Sequence, residues 1–164
     1  MEKSNLLGVS AGQGALLFPF IKSKKYKLLG NIEPRGVFHT NCESQWKLNF
    51  GDIPFYKGFC LQEFDEKVDI IISSPDCGAA SVMRLSKVKE LGNPKDNRSL
   101  NLVIASILKY KPKIFLIENL PRLLTLLPKD FFEETFKDYK LVFHERSVLD
   151  YGNSQESRKR LLII

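Results

Sequence analysis

The amino-acid sequence predicts an α/β protein with a mainly parallel sheet. Short apolar runs alternate with helical patterns along the whole chain, and several runs stop at glycine, proline or an acidic residue. The 164 residues are 43% hydrophobic and 27% charged, which is typical of one folded domain with a sizeable core. No stretch approaches the ~20 apolar residues that span a membrane, so no membrane association is expected.

The first half of the chain predicts four strands. They lie at residues 6–10, 26–32, near 48–50 and at 68–73, and the last is the clearest because its apolar run suits a buried strand. The glycine turn Ala11-Gly12-Gln13-Gly14 follows the first strand and opens a helix over 15–21. The stretch 35–51 predicts a helix followed by the short third strand.

The second half predicts a long loop, two helical regions and three strands. The stretch 78–97 predicts a long loop, because Gly92 and Pro94 disfavour helix and strand there. Apolar residues at helical spacing from Leu100 predict a helix that Pro112 ends. A strand over 113–117 follows, and Pro128 splits the next helical region at 123–136. Runs at 141–149 and 161–164 predict the last two strands.

Cys77 is the first candidate for chemistry, because it follows the strand at 68–73. In open parallel sheets, ligands bind just beyond the carboxyl ends of the strands. A cysteine there is a candidate nucleophile. A cysteine at a strand end more often has only a structural role, in which it packs as a small apolar side chain. The three cysteines form no close pair and no metal-ligand spacing, so we expect reduced thiols, no metal and a cytoplasm-like compartment.

Polar residues follow the other predicted strands. The glycine turn at 11–14 lets the backbone approach a nucleotide-like ligand, although many such turns are only structural. Glu33 ends the second strand, where a carboxylate can accept hydrogen bonds from both hydroxyl groups of a ribose. The alternative is a solvated carboxylate at the strand end. Asp52, in Gly51-Asp52-Ile53, would end the third strand and accept from an adenine amino group, unless this is only a turn.

Glu118 and two arginines complete the candidate site. Glu118 closes an apolar strand, where burial favours the protonated carboxyl, and the alternative is a helix N-cap shared with Asn119. Arg158 and Arg160 lie in a basic segment before the last strand. Arginines bind phosphates or the edges of bases. The alternative is that this basic run is a solvated turn. The net charge of +6 is compatible with a polyanionic partner.

Taken in order, these segments resemble the motifs of the cytosine-5 DNA methyltransferase family. The resemblance covers essentially the whole chain. The matching segments are the S-adenosylmethionine loop at 10–15, the ribose-binding Glu33, the adenine-contacting Asp52, the catalytic Pro75-Asp76-Cys77, Glu118-Asn119-Leu120, and the segment 151–160 that ends in Arg158-Lys159-Arg160.

The resemblance implies a Rossmann-like S-adenosylmethionine-dependent methyltransferase core that is C-terminally truncated. Residues 1–164 would be a single catalytic domain, with a cofactor-binding part at about 1–70, a catalytic part at about 71–164 and no target-recognition domain. The implied catalytic residues are Cys77, Glu118, Arg158 and Arg160. The implied S-adenosylmethionine-binding residues are Ser10, Ala11, Gly12, Gln13, Gly14, Glu33, Asp52, Ile53 and Pro75.

The implied activity is methyl transfer to carbon 5 of a cytosine flipped out of DNA. Cys77 would add to carbon 6, Glu118 would donate to ring nitrogen 3, and Arg158 would contact the carbonyl at carbon 2. The family's target-recognition domain and last two motifs have no counterpart in these residues, so we expect a second subunit to supply recognition. The resemblance also implies a bacterial or phage restriction-modification setting in the cytoplasm.

Two alternatives remain open. Ser10, Ala15 and Asp76 depart from the family's usual residues. These departures favour an inactive homologue that binds cofactor or DNA, or regulates an active relative. A branch of the family methylates tRNA with the same cysteine, so RNA is the other candidate substrate.

Overall fold

The computed structural model describes residues 3–34, 41–77, 97–152 and 158–164. The loop predicted over 78–97 therefore lies almost wholly outside the described residues. The strands in the described residues are β1 Ser4–Val9, β2 Tyr26–Glu33, β3 Phe55–Lys57, β4 Ile70–Ser73, β5 Ile114–Asn119, β6 Phe143–Ser147 and β7 Lys159–Ile163. The α-helices are α1 Phe18–Lys22, α2 Asn41–Phe50, α3 Arg98–Tyr110, α4 Leu123–Leu126 and α5 Lys129–Thr135. Short 3-10 helices lie at Ala15–Leu17 and Val148–Tyr151.

The seven described strands follow the order β3-β2-β1-β4-β5-β7-β6. β1 pairs in parallel with both β2 and β4, and β2 pairs in parallel with β3. β7 runs antiparallel to both β5 and β6. The predicted α/β class with a mainly parallel sheet is confirmed.

The chain divides into two compact units. The first comprises the described residues of Met1–Pro75 and Arg98–Phe115, and the second those of Asp76–Asn97 and Leu116–Ile164. The fully buried side chains of the first unit include Leu6, Leu7, Leu17, Ile32, Trp46, Ile71, Leu100 and Ile107. Those of the second unit include Ile117, Phe132, Phe136, Leu161 and Ile163. Each unit therefore has its own apolar core.

The predicted strand near Leu48–Phe50 is wrong, because α2 continues to Phe50. Trp46 and Phe50 are four residues apart and their ring centroids are 4.2 Å apart, which is the contact that helical spacing produces. Trp46 is fully buried, and its Nε1 donates to the carbonyl of Ile53 at 2.7 Å. This anchor closes the turn after the helix, so the third strand begins only at Phe55.

The strand that carries Glu118 is longer than predicted. β5 includes both Glu118 and Asn119, so the alternative of a shared helix N-cap is wrong. The next helix, α4, has Arg122 as its N-cap residue. The predicted break at Pro128 is confirmed, since this residue is the N-cap of α5.

Asp69 connects three segments of the first unit just before β4. Its carboxylate accepts from the Asn5 backbone N–H at 3.0 Å and from Lys113 Nζ at 3.0 Å. The hydrogen bond from Asn5, and then that from Lys113, hold the pKa of Asp69 below its usual value. The ionised carboxylate therefore stabilises the folded state.

Asp69→Asn is expected to lower the free energy of unfolding by about 1 kcal/mol near neutral pH. Because the pKa is lower in the folded state than its ordinary value of 3.8, the stabilisation is present above that value and is lost as the pH falls through the folded value. Urea unfolding of both proteins at about pH 7 and about pH 3 measures the effect. An equal difference at the two pH values would contradict this role.

Candidate functional site

The glycine turn after β1 follows a tightly packed course. Gly12 and Gly14 have φ angles of 62° and 86°, in the left-handed region that favours glycine. A Cβ on Gly14 would also overlap the ring of Phe50 and lie 2.9 Å from the Trp46 ring. Gly14 is therefore required both by its backbone conformation and by the close approach of α2.

Ser10 lies at the start of this loop and is fully buried, with a φ of 53°. Its N–H donates to the carbonyl of Ile32 at 2.8 Å, and its own carbonyl accepts from the N–H of Ser74 at 3.3 Å. Its hydroxyl donates to the carbonyl of Ser99 at 3.5 Å. Ser10 thus connects the loop after β1 to the segment after β4 and to the start of α3.

Glu33 lies at the carboxyl end of β2, as predicted, and is fully buried. The Gly12 N–H donates to its Oε2 at 2.5 Å. The backbone carbonyl of Glu33 accepts from the N–H of Gly58 at 3.2 Å, just beyond β3. The structure therefore brings Glu33 together with the glycine loop at the carboxyl ends of adjacent parallel strands.

Asn31 is a residue that the sequence analysis missed. It is fully buried on β2, two positions before Glu33 and hence on the same face of the strand. The Ala11 N–H donates to its Oδ1 at 3.3 Å, and its Nδ2 donates to the carbonyl of Gly12 at 3.1 Å. The available signal was a polar side chain inside the otherwise apolar run 28–32 of this strand.

Asp52 does not end a strand, so that part of the prediction is wrong. It lies in the turn between α2 and β3, and the residues after β3 are Gly58, Phe59 and Cys60. Asp52 and Ile53 do line an open surface cavity of about 320 Å³ in the first unit. The other lining residues are Glu43, Lys47, Gly51, Pro54 and Phe55. Adenine contact by Asp52 and Ile53 stays a prediction.

Phe59 occupies the position after β3 where the sequence analysis expected an acid. Its side chain is 37% exposed, and the guanidinium carbon of Arg98 lies 5.9 Å from its ring centroid. Flat aromatic and guanidinium groups both stack on nucleobases. No pattern in the sequence singled out this pair, because 39 positions separate its members in the chain.

The cysteine segment follows β4. Pro75 is buried, whereas Asp76 and Cys77 are exposed, and Cys77 is a free thiol. In the second unit, Asn97 Nδ2 donates to the backbone carbonyl of Asp76 at 2.7 Å. This contact holds the backbone directly before the candidate nucleophile.

Glu118 and Arg160 form an ion pair in the second unit. Arg160 Nε lies 2.7 Å from Glu118 Oε1, and the two side chains are only 26% and 20% exposed. β5 and β7 are antiparallel, and Glu118 lies opposite Leu162. Arg158 is exposed and precedes β7. Of the two predicted arginines, Arg160 is therefore the one paired with Glu118 in the described residues.

Two further kinds of feature concern the described part of the chain, a metal site and a membrane-spanning helix. Within it, no group of three or more His, Cys, Asp or Glu residues is placed to hold a metal ion. No helix there is long and apolar enough to cross a membrane.

Solved structures with a similar fold are methyltransferases. The Entamoeba histolytica methyltransferase EhMeth matches with a TM-score of 0.72 and 18% identity, over 99% of this chain and 52% of its own. The S. pombe Dnmt2 methyltransferase matches with a TM-score of 0.71 and 14% identity, over 98% and 48%. The fold is thus the Rossmann-like core of the S-adenosylmethionine-dependent methyltransferases, as the motif order predicts.

The family model for C-5 cytosine-specific DNA methylase matches residues 21–164, and the chain belongs to this family. The Type II methyltransferase M1.HgaI of Avibacterium volantium is 37% identical over an alignment of 179 residues, gaps included. The alignment covers 98% of this chain and 50% of the relative. M.Bpa9945I of Bacillus paralicheniformis is 30% identical over 96 residues, or 58% and 21%. The chain thus spans at most half the length of these two relatives.

Proposed function

We propose that this chain carries the cofactor-binding and catalytic residues of an enzyme that transfers a methyl group from S-adenosylmethionine to carbon 5 of cytosine in DNA. The observation that carries the proposal is the family match over residues 21–164, which includes Cys77, Glu118 and Arg160. The contact between Glu118 and Arg160 supports it, because it joins two of the predicted catalytic side chains.

The residues of the first unit fit a nucleoside-containing cofactor. A buried carboxylate at the end of β2 suits two ribose hydroxyls, and a backbone turn rich in glycine allows close approach. Ser10, Ala11, Gly12, Gln13, Gly14 and Pro75 would complete the surroundings. Adenine would contact Phe59 or the turn at Asp52 and Ile53. When bound, the cofactor supplies an electrophilic methyl group on a sulfonium sulfur.

Cys77 would act as the nucleophile toward the base. Carbon 5 of cytosine is a poor nucleophile, and addition of a thiolate at carbon 6 turns the ring into an enamine that reacts at carbon 5. The thiolate, rather than the thiol, is the nucleophilic form of cysteine. The S–C6 bond forms first. After methylation, which leaves S-adenosylhomocysteine, the carbon 5 proton would pass to solvent water. Its electron pair would re-form the C5–C6 double bond as the S–C6 bond breaks and releases the thiolate.

Glu118 would stabilise the charge that develops on the base. In its protonated form it would donate to ring nitrogen 3 as the thiolate adds. Arg160 contacts Oε1 and would orient the carboxyl group toward the base. Arg158 would contact the carbonyl at carbon 2. Arg160 thus acts through Glu118, whereas Arg158 would act on the base itself.

The target cytosine must leave the DNA stack to meet these groups. Flipping a base costs a few kcal/mol, which contacts with the rest of the DNA must offset. We propose that sequence recognition is supplied by residues beyond these 164 or by a partner subunit. The activity test therefore includes the chain both alone and with candidate partner polypeptides.

Transfer of a radiolabelled methyl group from S-adenosylmethionine tests the proposed function. The acceptors are duplex DNA and tRNA, and the chain is assayed alone and mixed with polypeptides encoded beside it. We expect 5-methylcytosine in DNA. Incorporation only into tRNA would overturn DNA as the substrate, and cofactor binding without transfer in every mixture would identify an inactive homologue.

A further inference from the structure

Asn31 lies near the carboxyl end of β2, and its side-chain amide contacts the glycine loop that follows β1. We propose that Asn31 is a positioning residue that holds residues 11–12 in the conformation that receives the cofactor, and that position 8 is glycine to leave room for this amide. The assignment of the loop to the cofactor rests on the proposed function. The contacts themselves are independent of it.

Both ends of the amide meet complementary backbone groups. Oδ1 accepts from the Ala11 N–H at 3.3 Å, and Nδ2 donates to the Gly12 carbonyl at 3.1 Å. Exchanging the oxygen and nitrogen would place donor against donor and acceptor against acceptor, so the hydrogen bonds define one orientation. The amide thus matches one N–H group and one carbonyl group of the loop. A carboxylate of the same shape has no donor for the Gly12 carbonyl, so it could not make both hydrogen bonds.

Gly8 explains how the amide reaches the loop. Gly8 is the direct partner of Asn31 in the β1–β2 ladder. A Cβ on Gly8 would lie 2.9 Å from Asn31 Oδ1 and 3.1 Å from Leu17 Cδ1. Gly8 is inside a strand and is not among the described glycines with positive φ. What this position requires is space rather than backbone freedom.

The contacts of Asn31 also align the loop with Glu33. Gly12 donates its N–H to Glu33 Oε2, while its carbonyl accepts from Asn31. Two side chains on one face of β2 thus hold both polar groups of a single glycine. A loop held in this way loses less conformational entropy when a ligand binds, so its order raises affinity without a direct contact between Asn31 and the ligand.

Asn31→Asp keeps the shape of the side chain and replaces a donor with an acceptor. We expect the Kd for S-adenosylhomocysteine, measured by calorimetry, to rise about tenfold or more, and amide hydrogen exchange at Ala11 and Gly12 to accelerate. Asn49→Asp is the matched control, because the exposed Asn49 Nδ2 donates to Gln13 in the same loop at 3.3 Å. We expect this control to stay within about twofold of the unsubstituted chain.

A double-substitution cycle with Gly8 separates a positioning role from general destabilisation. Gly8→Ala should raise the Kd and accelerate exchange in the unsubstituted chain. It should cost less in the presence of Asn31→Ala, because the amide oxygen that lies nearest to the added methyl group is then removed, although Leu17 Cδ1 and the Cβ at position 31 remain close. Full additivity, or an Asn31→Asp variant with unchanged Kd and exchange, would overturn the proposal.

The two readouts distinguish this proposal from the proposed function. If the unsubstituted chain does not bind S-adenosylhomocysteine, the function assigned to the loop fails. Faster exchange at Ala11 and Gly12 in Asn31→Asp, without such a change in Asn49→Asp, would still support the positioning role. Unchanged exchange would overturn it.

Discussion

Cys77→Ser is expected to lower the rate of methyl transfer to DNA by about 10³-fold or more, because a serine hydroxyl is a far weaker nucleophile than a thiolate. The measurement is single-turnover incorporation of labelled methyl groups. Affinity for S-adenosylhomocysteine should be unchanged, because the glycine loop and Glu33 are intact. This separation would assign the loss to the chemical step rather than to cofactor binding.

Cys60→Ser provides a matched control for that substitution. Cys60 is also exposed and free, so the same atom is exchanged in a similarly accessible side chain. We expect a rate within about twofold of the unsubstituted chain. A Cys77→Ser variant that keeps more than about a tenth of the rate would contradict the assignment of the nucleophile.

Glu118→Gln is expected to lower kcat by about 10²-fold or more with a smaller change in the KM for DNA, since the lost proton donor acts mainly as charge develops on the base. Arg160→Lys should lower kcat by about tenfold, because lysine lacks the planar fork that orients a carboxylate. Steady-state kinetics with saturating cofactor measures both effects.

The double substitution Glu118→Gln with Arg160→Lys tests how the pair acts. If Arg160 works through Glu118, adding Arg160→Lys to Glu118→Gln should change kcat little. Arg158→Lys is the comparison, because Arg158 is proposed to contact the base and its effect should remain when Glu118 is replaced. Additive losses for Glu118 and Arg160 would contradict the positioning role of Arg160.

Most strands were predictable because a buried parallel strand leaves a simple signature. The runs that became β1, β2, β4 and β5 are apolar and end at small, polar or acidic residues. Since ligands in this architecture lie beyond the carboxyl ends of strands, the same signature located Glu33, Cys77 and Glu118. The candidate residues nearest to those ends were therefore the most accessible to sequence reasoning.

Other features depend on contacts between distant residues. The turn with Asp52 was placed wrongly because α2 continues to Phe50, where the contact between Trp46 and Phe50 outweighs local strand propensity. That Arg160, rather than Arg158, pairs with Glu118 depends on the antiparallel pairing of β5 with β7, which the sequence does not specify. Asn31 was missed because its hydrogen bonds with Ala11 and Gly12 form only in the folded chain.

The departures from the family's usual residues have a structural counterpart in Ser10. The serine is buried and holds three segments of the first unit by polar contacts, including hydrogen bonds with Ser74 and Ser99. The loop is thus ordered by hydrogen bonds at one of the positions where the chain departs from the family's usual residues.

Covalent trapping on duplex DNA that contains 5-fluorocytosine tests the proposed reaction most directly. Fluorine at carbon 5 does not leave as the proton does, so the S–C6 bond persists after methyl transfer. With S-adenosylmethionine present, we predict a stable adduct on the peptide that contains Cys77, identified by mass spectrometry, and none in Cys77→Ser. An adduct on Cys60 instead, or no adduct in a mixture that methylates ordinary cytosine, would contradict Cys77 as the nucleophile.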